Sequence, residues 1–168
     1  PPRTRDALKA MLAFHQLTDP ASHLSVADRD AKAQTIAAGI DQALPSMSDP
    51  AALAQEAADL LKAGVERNVN TLEYWGENPQ TQLAIRPVIA AVQKMLDKAS
   101  VLAKQQADDI ANALTGPNDP RAKQWESLSN LAISTAYTRH MADYYVALSL
   151  DRNAPRRKQI ADDAIKFL

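Results

Sequence analysis

Apolar side chains recur along this chain at helical spacing. The longest run carries Ile85, Ile89, Val92, Leu96, Ala99, Ala103, Gln106, Ile110 and Ala113 in alternating steps of four and three. A period of 3.5 residues held this long predicts a helix packed at a shallow angle against a neighbour, with Ala99 and Ala103 allowing close approach. If residues 80 to 114 are all helical they span about 52 Å at 1.5 Å per residue. Pro87 falls early in this run, where it removes an amide donor and biases Arg86 away from helical geometry, predicting a kink or a late start.

A second seam, Ala54, Ala58, Leu61, Val65, Asn68, Leu72 and Trp75, predicts a helix from Ser48-Asp49-Pro50 to Trp75, where Gly76 suits the left-handed closing conformation. Asn68 is its one polar member, the kind of residue that fixes alignment between packed helices. The short Gly76-Glu77-Asn78-Pro79 link makes these two helices an antiparallel hairpin. Before them, Thr4 to about Leu17 reads as a first helix, with Leu8, Met11, Leu12 and His15 on one side. Ser25 caps a second that carries Val26, Ala33, Ile36, Ala37, Ile40 and Leu44 until Pro45 stops it.

After the break at Thr115-Gly116-Pro117-Asn118-Asp119-Pro120, a fifth helix runs to about Leu150. One face bears Ile133, Tyr137, His140, Met141, Tyr144 and Leu148, and the other Trp125, Leu128, Ala132, Ala136 and Val146. A helix apolar on both sides lies between neighbours, which places it at the centre of the fold. Asp151-Arg152-Asn153-Ala154-Pro155 turns into a sixth helix with Ile160, Ala164, Ile165 and Leu168. Helix starts at Asp19-Pro20, Asp49-Pro50, Asn78-Pro79, Asp119-Pro120 and Ala154-Pro155 fall 30, 29, 41 and 35 residues apart by subtraction, near the period of helical repeat proteins.

Composition agrees with this reading. Thirty-two alanines against four glycines and eight aromatic residues favour helix and leave few alternating stretches for strands. The expected architecture is all-α: five or six antiparallel helices in a long-helix bundle or a short α-solenoid, forming a single helical domain over residues 1–168. The chain begins Pro1-Pro2-Arg3-Thr4 and ends in Lys166-Phe167-Leu168 without a stop signal, so a processed product or a piece of a longer protein is expected.

A net charge of −1 offers no broad attraction for nucleic acid or an anionic membrane, and no apolar stretch approaches a membrane span. A soluble protein, cytoplasmic or exported, is expected. Without cysteine there is no disulfide, zinc-thiolate site or thiol nucleophile.

The segment from Trp125 to Pro155 resembles one unit of the tetratricopeptide repeat family: Trp125 falls on that motif's tryptophan, Leu128 on its leucine, Ser129 on its small residue and Tyr145 on its large aromatic. Ala132, Met141 and Asn153 depart from the pattern, and Ser134-Thr135-Ala136-Tyr137-Thr138 has no turn-forming residue between two short helices. The resemblance covers about a fifth of the chain and implies a scaffold that binds proteins through stacked helices.

Candidate chemistry is sparse. His15, His23 and His140 form no His-x-x-x-His pair, and no Glu-x-x-His occurs for a di-metal site, so neither metal nor cofactor is expected. His140, on an apolar face, reads as a hydrogen-bonded core histidine. Asp108-Asp109 and Asp162-Asp163 point about 100° apart on a helix and read as solvated faces. Arg139 and Asp143, four apart, form a structural ion pair. Arg156-Arg157-Lys158 places three cations at a helix start, where the dipole prefers anions. The plain reading is a solvated basic cluster; the functional one is that an anionic patch on a partner, or the carbonyl end of a preceding helix, offsets them. Trp75 with Tyr74 closes the hairpin end. These features point to a non-enzymatic helical scaffold or protein-interaction module, working with a protein partner or by self-association. The alternative is a small-molecule-binding bundle or enzyme with its pocket near Tyr137, His140 and Tyr144.

Overall fold

In the computed structural model, residues 12–13, 16–17, 22–74, 78–116 and 118–167 are described. Most of the predicted first helix lies outside them, as do His15, Asp19-Pro20, Trp75, Gly76, Leu168 and the side chain of Tyr74. Helix starts follow the capping chemistry of the sequence. Ser25 Oγ accepts the Asp28 amide at 3.2 Å and donates to the Asp28 carboxylate at 2.7 Å, opening α1 (Val26–Ala43). The second helix, α2, starts as Pro50–Leu61, passes through a π-helical turn at Lys62–Glu66 and continues as Arg67–Tyr74. Asp49 caps it by accepting from the amides of Ala51 and Ala52. Asn78 caps α3 (Pro79–Ala113) through the Thr81 amide. With α4 (Ala122–Leu148) and α5 (Pro155–Phe167), five helices form an all-α bundle, and no strand occurs among the described residues.

At the centre lies α3, which packs against α1, α2 and α4. From α1 to α4 successive helices alternate in direction. Ser100 Oγ donates to Ala132 O, Gln93 to Asp143 and Arg86 to Ser149 O, so positions rise along α3 as they fall along α4. Lys94 pairs with Asp41 at 2.7 Å and Lys98 reaches Leu44 O, so α1 runs parallel to α3 with antiparallel α2 packed against both. Leu53, Leu60, Ile85, Val88, Ile89, Val92, Met95 and Leu96 are fully buried, each contributing about 1.5–3 kcal/mol relative to exposure. The helix runs unbroken through Pro87, so the late start does not occur. Pro87 is exposed, on the side where a missing amide disturbs no packing.

Two elements differ from the sequence reading. The fifth predicted helix, α4, does lie between neighbours, α3 and α5, but is not central: it packs on α3 through Thr135 and Ala142, while Ile133, Tyr137, Met141 and Tyr144 remain exposed. Asp119-Pro120 does not open it either. The Asp119 carboxylate instead closes the preceding loop, accepting from the Thr115 amide and hydroxyl and from the Arg121 amide and guanidinium, and α4 begins only at Ala122. The hydrogen bond from the Arg121 side chain, aided by the two amides, holds this carboxyl well below the usual carboxylate range.

In α2 before the π turn Leu53, Ala57 and Leu60 are buried, the first two one position ahead of the predicted Ala54 and Ala58, while Leu61, Val65, Asn68 and Leu72 are buried as predicted. The turn holds an extra residue and moves the inward face by about one position. Asn68 Nδ2 donates to Asp30 Oδ1 at 3.1 Å and ties α2 to α1.

Cations from neighbouring elements close three helix ends. None of α1, α3 and α4 has a basic residue in its own last turn. Lys98 donates to Leu44 O beyond α1, Arg121 to Ala113 O at the end of α3, and Arg86 and Arg157 to Ser149 O and Leu150 O beyond α4. Each meets carbonyls that carry the negative end of a helix dipole.

Candidate functional site

The candidate residues of the sequence cluster on α4 and at its C-terminal end. On the outer side of α4, away from α3, Ile133, Tyr137, Met141 and Tyr144 follow one another in steps of four, four and three, which keeps them on one stripe. They are 69, 49, 37 and 44% exposed, so this stripe faces solvent along most of its length. Trp125, 40% exposed, stands near the start of the helix.

His140 is half-exposed at the margin of this stripe and not a core histidine; its Nδ1 lies 3.4 Å from Asp143 Oδ2. Asp143 also accepts from Arg139 at 2.6 Å and from Gln93 at 2.8 Å, and Arg139 Nε lies 3.2 Å from Asp97. The predicted Arg139–Asp143 pair is thus one part of a polar seam joining α4 to α3. A carboxylate so shared positions helices.

Where α2 ends, α3 begins and α4 ends, a cleft of about 230 Å³ is lined by Leu72, Glu73, Gln82, Tyr144, Leu148, Arg152 and Arg157. It brings together Tyr144 and Arg157, two residues from separate sequence candidates. Tyr137 and His140 do not line it, and Arg156 and Lys158 are exposed beyond it. Tyr144 donates its phenolic proton to Glu73. That bond, with burial and the Glu73 charge, pushes the Tyr144 phenol up to about 12. Tyr145, whose ring meets Tyr144 edge-on with centroids 5.6 Å apart, is also raised to about 12, by burial first and then the charge of Glu66. Both phenols stay protonated through the neutral range and act there as donors, not bases.

Glu73, Gln82 and Arg86 escaped the sequence reading. Gln82 is buried and gives both its bonds to carbonyls at the end of α4 and just beyond it, Leu148 O and Leu150 O at 3.2 Å each. Its signal was present: stepping back three residues from Ile85 along the seam lands on Gln82. Glu73 sits outside the seam and only its spatial nearness to Tyr144 reveals it.

Among the described residues, no group of three or more histidine and acidic side chains is placed to hold a metal ion, and no helix is long and apolar enough to cross a membrane. Asp108, Asp109, Asp162 and Asp163 all face solvent. No protein-family model, no curated protein and no solved structure matches this chain.

Proposed function

We infer that this chain is a non-enzymatic helical scaffold that presents a surface to another protein or to a second copy of itself. One observation carries the reading: the outer side of α4 is apolar and aromatic, and among the described residues no helix covers Ile133, Tyr137 and Met141, while Tyr144 at its end stays 44% exposed beside Glu73. Large apolar side chains grouped on one exposed stripe mark interaction sites, whereas those scattered singly, such as Leu83 on α3 and Ile165 on α5, need no explanation. A tetratricopeptide-like kinship over Trp125 to Pro155 would assign the same role, since such proteins bind others through stacked helices.

The cleft at the end of α4 favours a second reading, a small-molecule-binding bundle or enzyme in which Tyr144 and the two arginines hold a ligand. Its volume falls below the roughly 300 Å³ at which ligand pockets commonly begin, so the interaction surface takes precedence.

Site-specific photo-crosslinking separates the two. A benzophenone side chain at position 137, irradiated in an extract of the source cells, is expected to give a discrete protein adduct, while the same group at exposed Lys104 on α3 gives none. Absence of any protein adduct at 137 would remove the scaffold reading.

A further inference from the structure

The exposed stripe of α4 has three properties that together specify an occupant. The first is charge. From Ser127 to Thr138 the helix contains no charged residue, and beyond it Arg139 and Asp143 turn to α3. By contrast the exposed positions of α3 include Lys94, Asp97, Lys104, Asp108 and Asp109. Depletion of charge with enrichment in tyrosine and methionine is the composition of an interface core. An uncharged stripe also meets its own copy without the like-charge repulsion that a two-fold axis imposes on charged ones.

The second property is order. Read along α4 the stripe is Ile133, Tyr137, Met141, Tyr144, alternating aliphatic with aromatic. Laid antiparallel on itself about an axis near residues 138 and 139, Ile133 opposes Tyr144 of the copy and Tyr137 opposes Met141. Every contact then joins an aromatic ring to an aliphatic or thioether side chain, a favourable pairing for both kinds. At 1.5 Å per residue the same alignment carries exposed Glu126 to the level of the turn after α4 in the copy, where Arg152 and Arg156 flank Asp151 with a net positive charge.

The third is area. Two tyrosines close to half exposed, with Ile133 and Met141, offer about 400 Å² of largely apolar surface, within the range of the largest patches that monomers leave uncovered. Adding Ser134 and Thr138 brings this to about 500 Å² per copy, or about 1,000 Å² in the pair, the lower end of a specific interface.

We propose that the outer side of α4 is the interface of a two-fold homodimer in which α4 packs antiparallel on α4 of a second copy, with Tyr137 against Met141 beside the axis. This rests on the scaffold reading and names its partner. The test is light scattering on the purified chain from about 1 to about 500 μM, where a rise toward twice 18.3 kDa is expected. Tyr137→Glu and Met141→Lys, both at exposed positions, are each expected to weaken the dimer at least about 100-fold while leaving the helical circular dichroism unchanged. Mixing the two variants restores it, because the heterodimer sets Glu against Lys at one contact and keeps Tyr against Met at the other.

A chain that stays monomeric throughout, a dimer indifferent to both substitutions, or a mixture that fails to recover would overturn the proposal. Should either variant lose its helical signal, Ile133→Ser with Tyr144→Ser supplies the same test at the outer contacts. A monomer that still crosslinks to another protein at position 137 removes this interface and leaves the scaffold reading. A monomer with no adduct removes both.

Discussion

Gly64 in α2 lies so close to Val88 in α3 that a methyl group on it would come within 3.0 Å of Val88 Cγ1, and within 3.2 Å of the Ala33 methyl on α1. Three helices meet at this point, and the missing side chain lets them. Val88 is fully buried and Ala33 has no rotamer to change, so neither neighbour yields cheaply. Alanine gains about 1 kcal/mol of helix propensity over glycine, against about 1–3 kcal/mol lost to overpacking. Gly64→Ala is expected to lose about 1 kcal/mol net and Gly64→Val about 3 kcal/mol, read as urea midpoints at constant slope. A higher midpoint for Gly64→Ala would mean that the helices move apart freely.

Four residues further on, Asn68 joins α2 to α1 through Asp30. The acceptor is a carboxylate, so the bond is of the stronger, charge-assisted kind. Asn68→Ala is expected to cost about 1–2 kcal/mol, and a double-mutant cycle with Asp30→Ala to return a coupling of about 1 kcal/mol. A coupling near zero would show that the amide serves only to fill space.

The contrast between Gly64 and Asn68 shows what a sequence discloses. Asn68 broke an apolar seam, and that break marked it. Gly64 marked nothing, because the π turn around it moves the inward face by one residue, and periodicity alone carries no sign of such a shift. Hence Leu53 and Ala57 are buried where Ala54 and Ala58 were expected. The seam of α3 was legible as far as Ala103. Beyond it Gln106 and Ile110 are half-buried and Ala113 exposed, as α3 runs past the helices that cover it.

For α4 the pattern was read correctly and its meaning was not. Two apolar faces were evident from Ile133, Tyr137 and Met141 on one side and Leu128, Ala132 and Ala136 on the other. Periodicity states that a face is apolar; it does not state which chain covers it. The cleft was illegible for a different reason: Glu73, Gln82, Tyr144 and Arg157 come from four helices, and only packing brings them together. Of Arg156-Arg157-Lys158, the carbonyl end of a preceding helix does receive Arg157, through Leu150 O at 3.3 Å.

Gln82 and Arg86 hold the C-terminal end of α4 against the start of α3. Removing the Gln82 amide takes the side-chain donor from the buried Leu148 O and leaves Leu150 O with Arg157 alone, so Gln82→Leu is expected to cost about 1–3 kcal/mol despite its added apolar surface. Arg86→Lys keeps the charge but loses the two-nitrogen grip on Ser149 O. Hydrogen exchange should show earlier opening at the end of α4 for both variants, with α1 unchanged.

Asp119 makes the loop between α3 and α4 sensitive to acid. Its folded pKa lies below the unfolded value, so the stability it adds is complete above about pH 3.9 and fades as the pH falls toward the folded value. Asp119→Asn is expected to be less stable than the parent at pH 6, the difference shrinking as the pH drops below about 4. A constant difference across that range would place the effect in the shape of the side chain and not in its charge.

At alkaline pH the sign reverses. The phenols of Tyr144 and Tyr145 ionise near 12 when folded, against about 10 in an unfolded chain. A raised folded value means that the neutral phenol is the form the fold favours. Its contribution is therefore full below about pH 10 and is lost as the pH rises toward 12. Glu73 and Glu66 supply much of this, since a phenolate beside a carboxylate forfeits its hydrogen bond and gains a repulsion. Absorbance near 295 nm should show two tyrosines titrating late, one missing in Tyr144→Phe and the other in Tyr145→Phe. Glu73→Gln separates cause from burial. It removes the charge while leaving Tyr144 a carbonyl acceptor, so Tyr144 alone should shift down toward 10 while Tyr145, raised chiefly by burial, moves little.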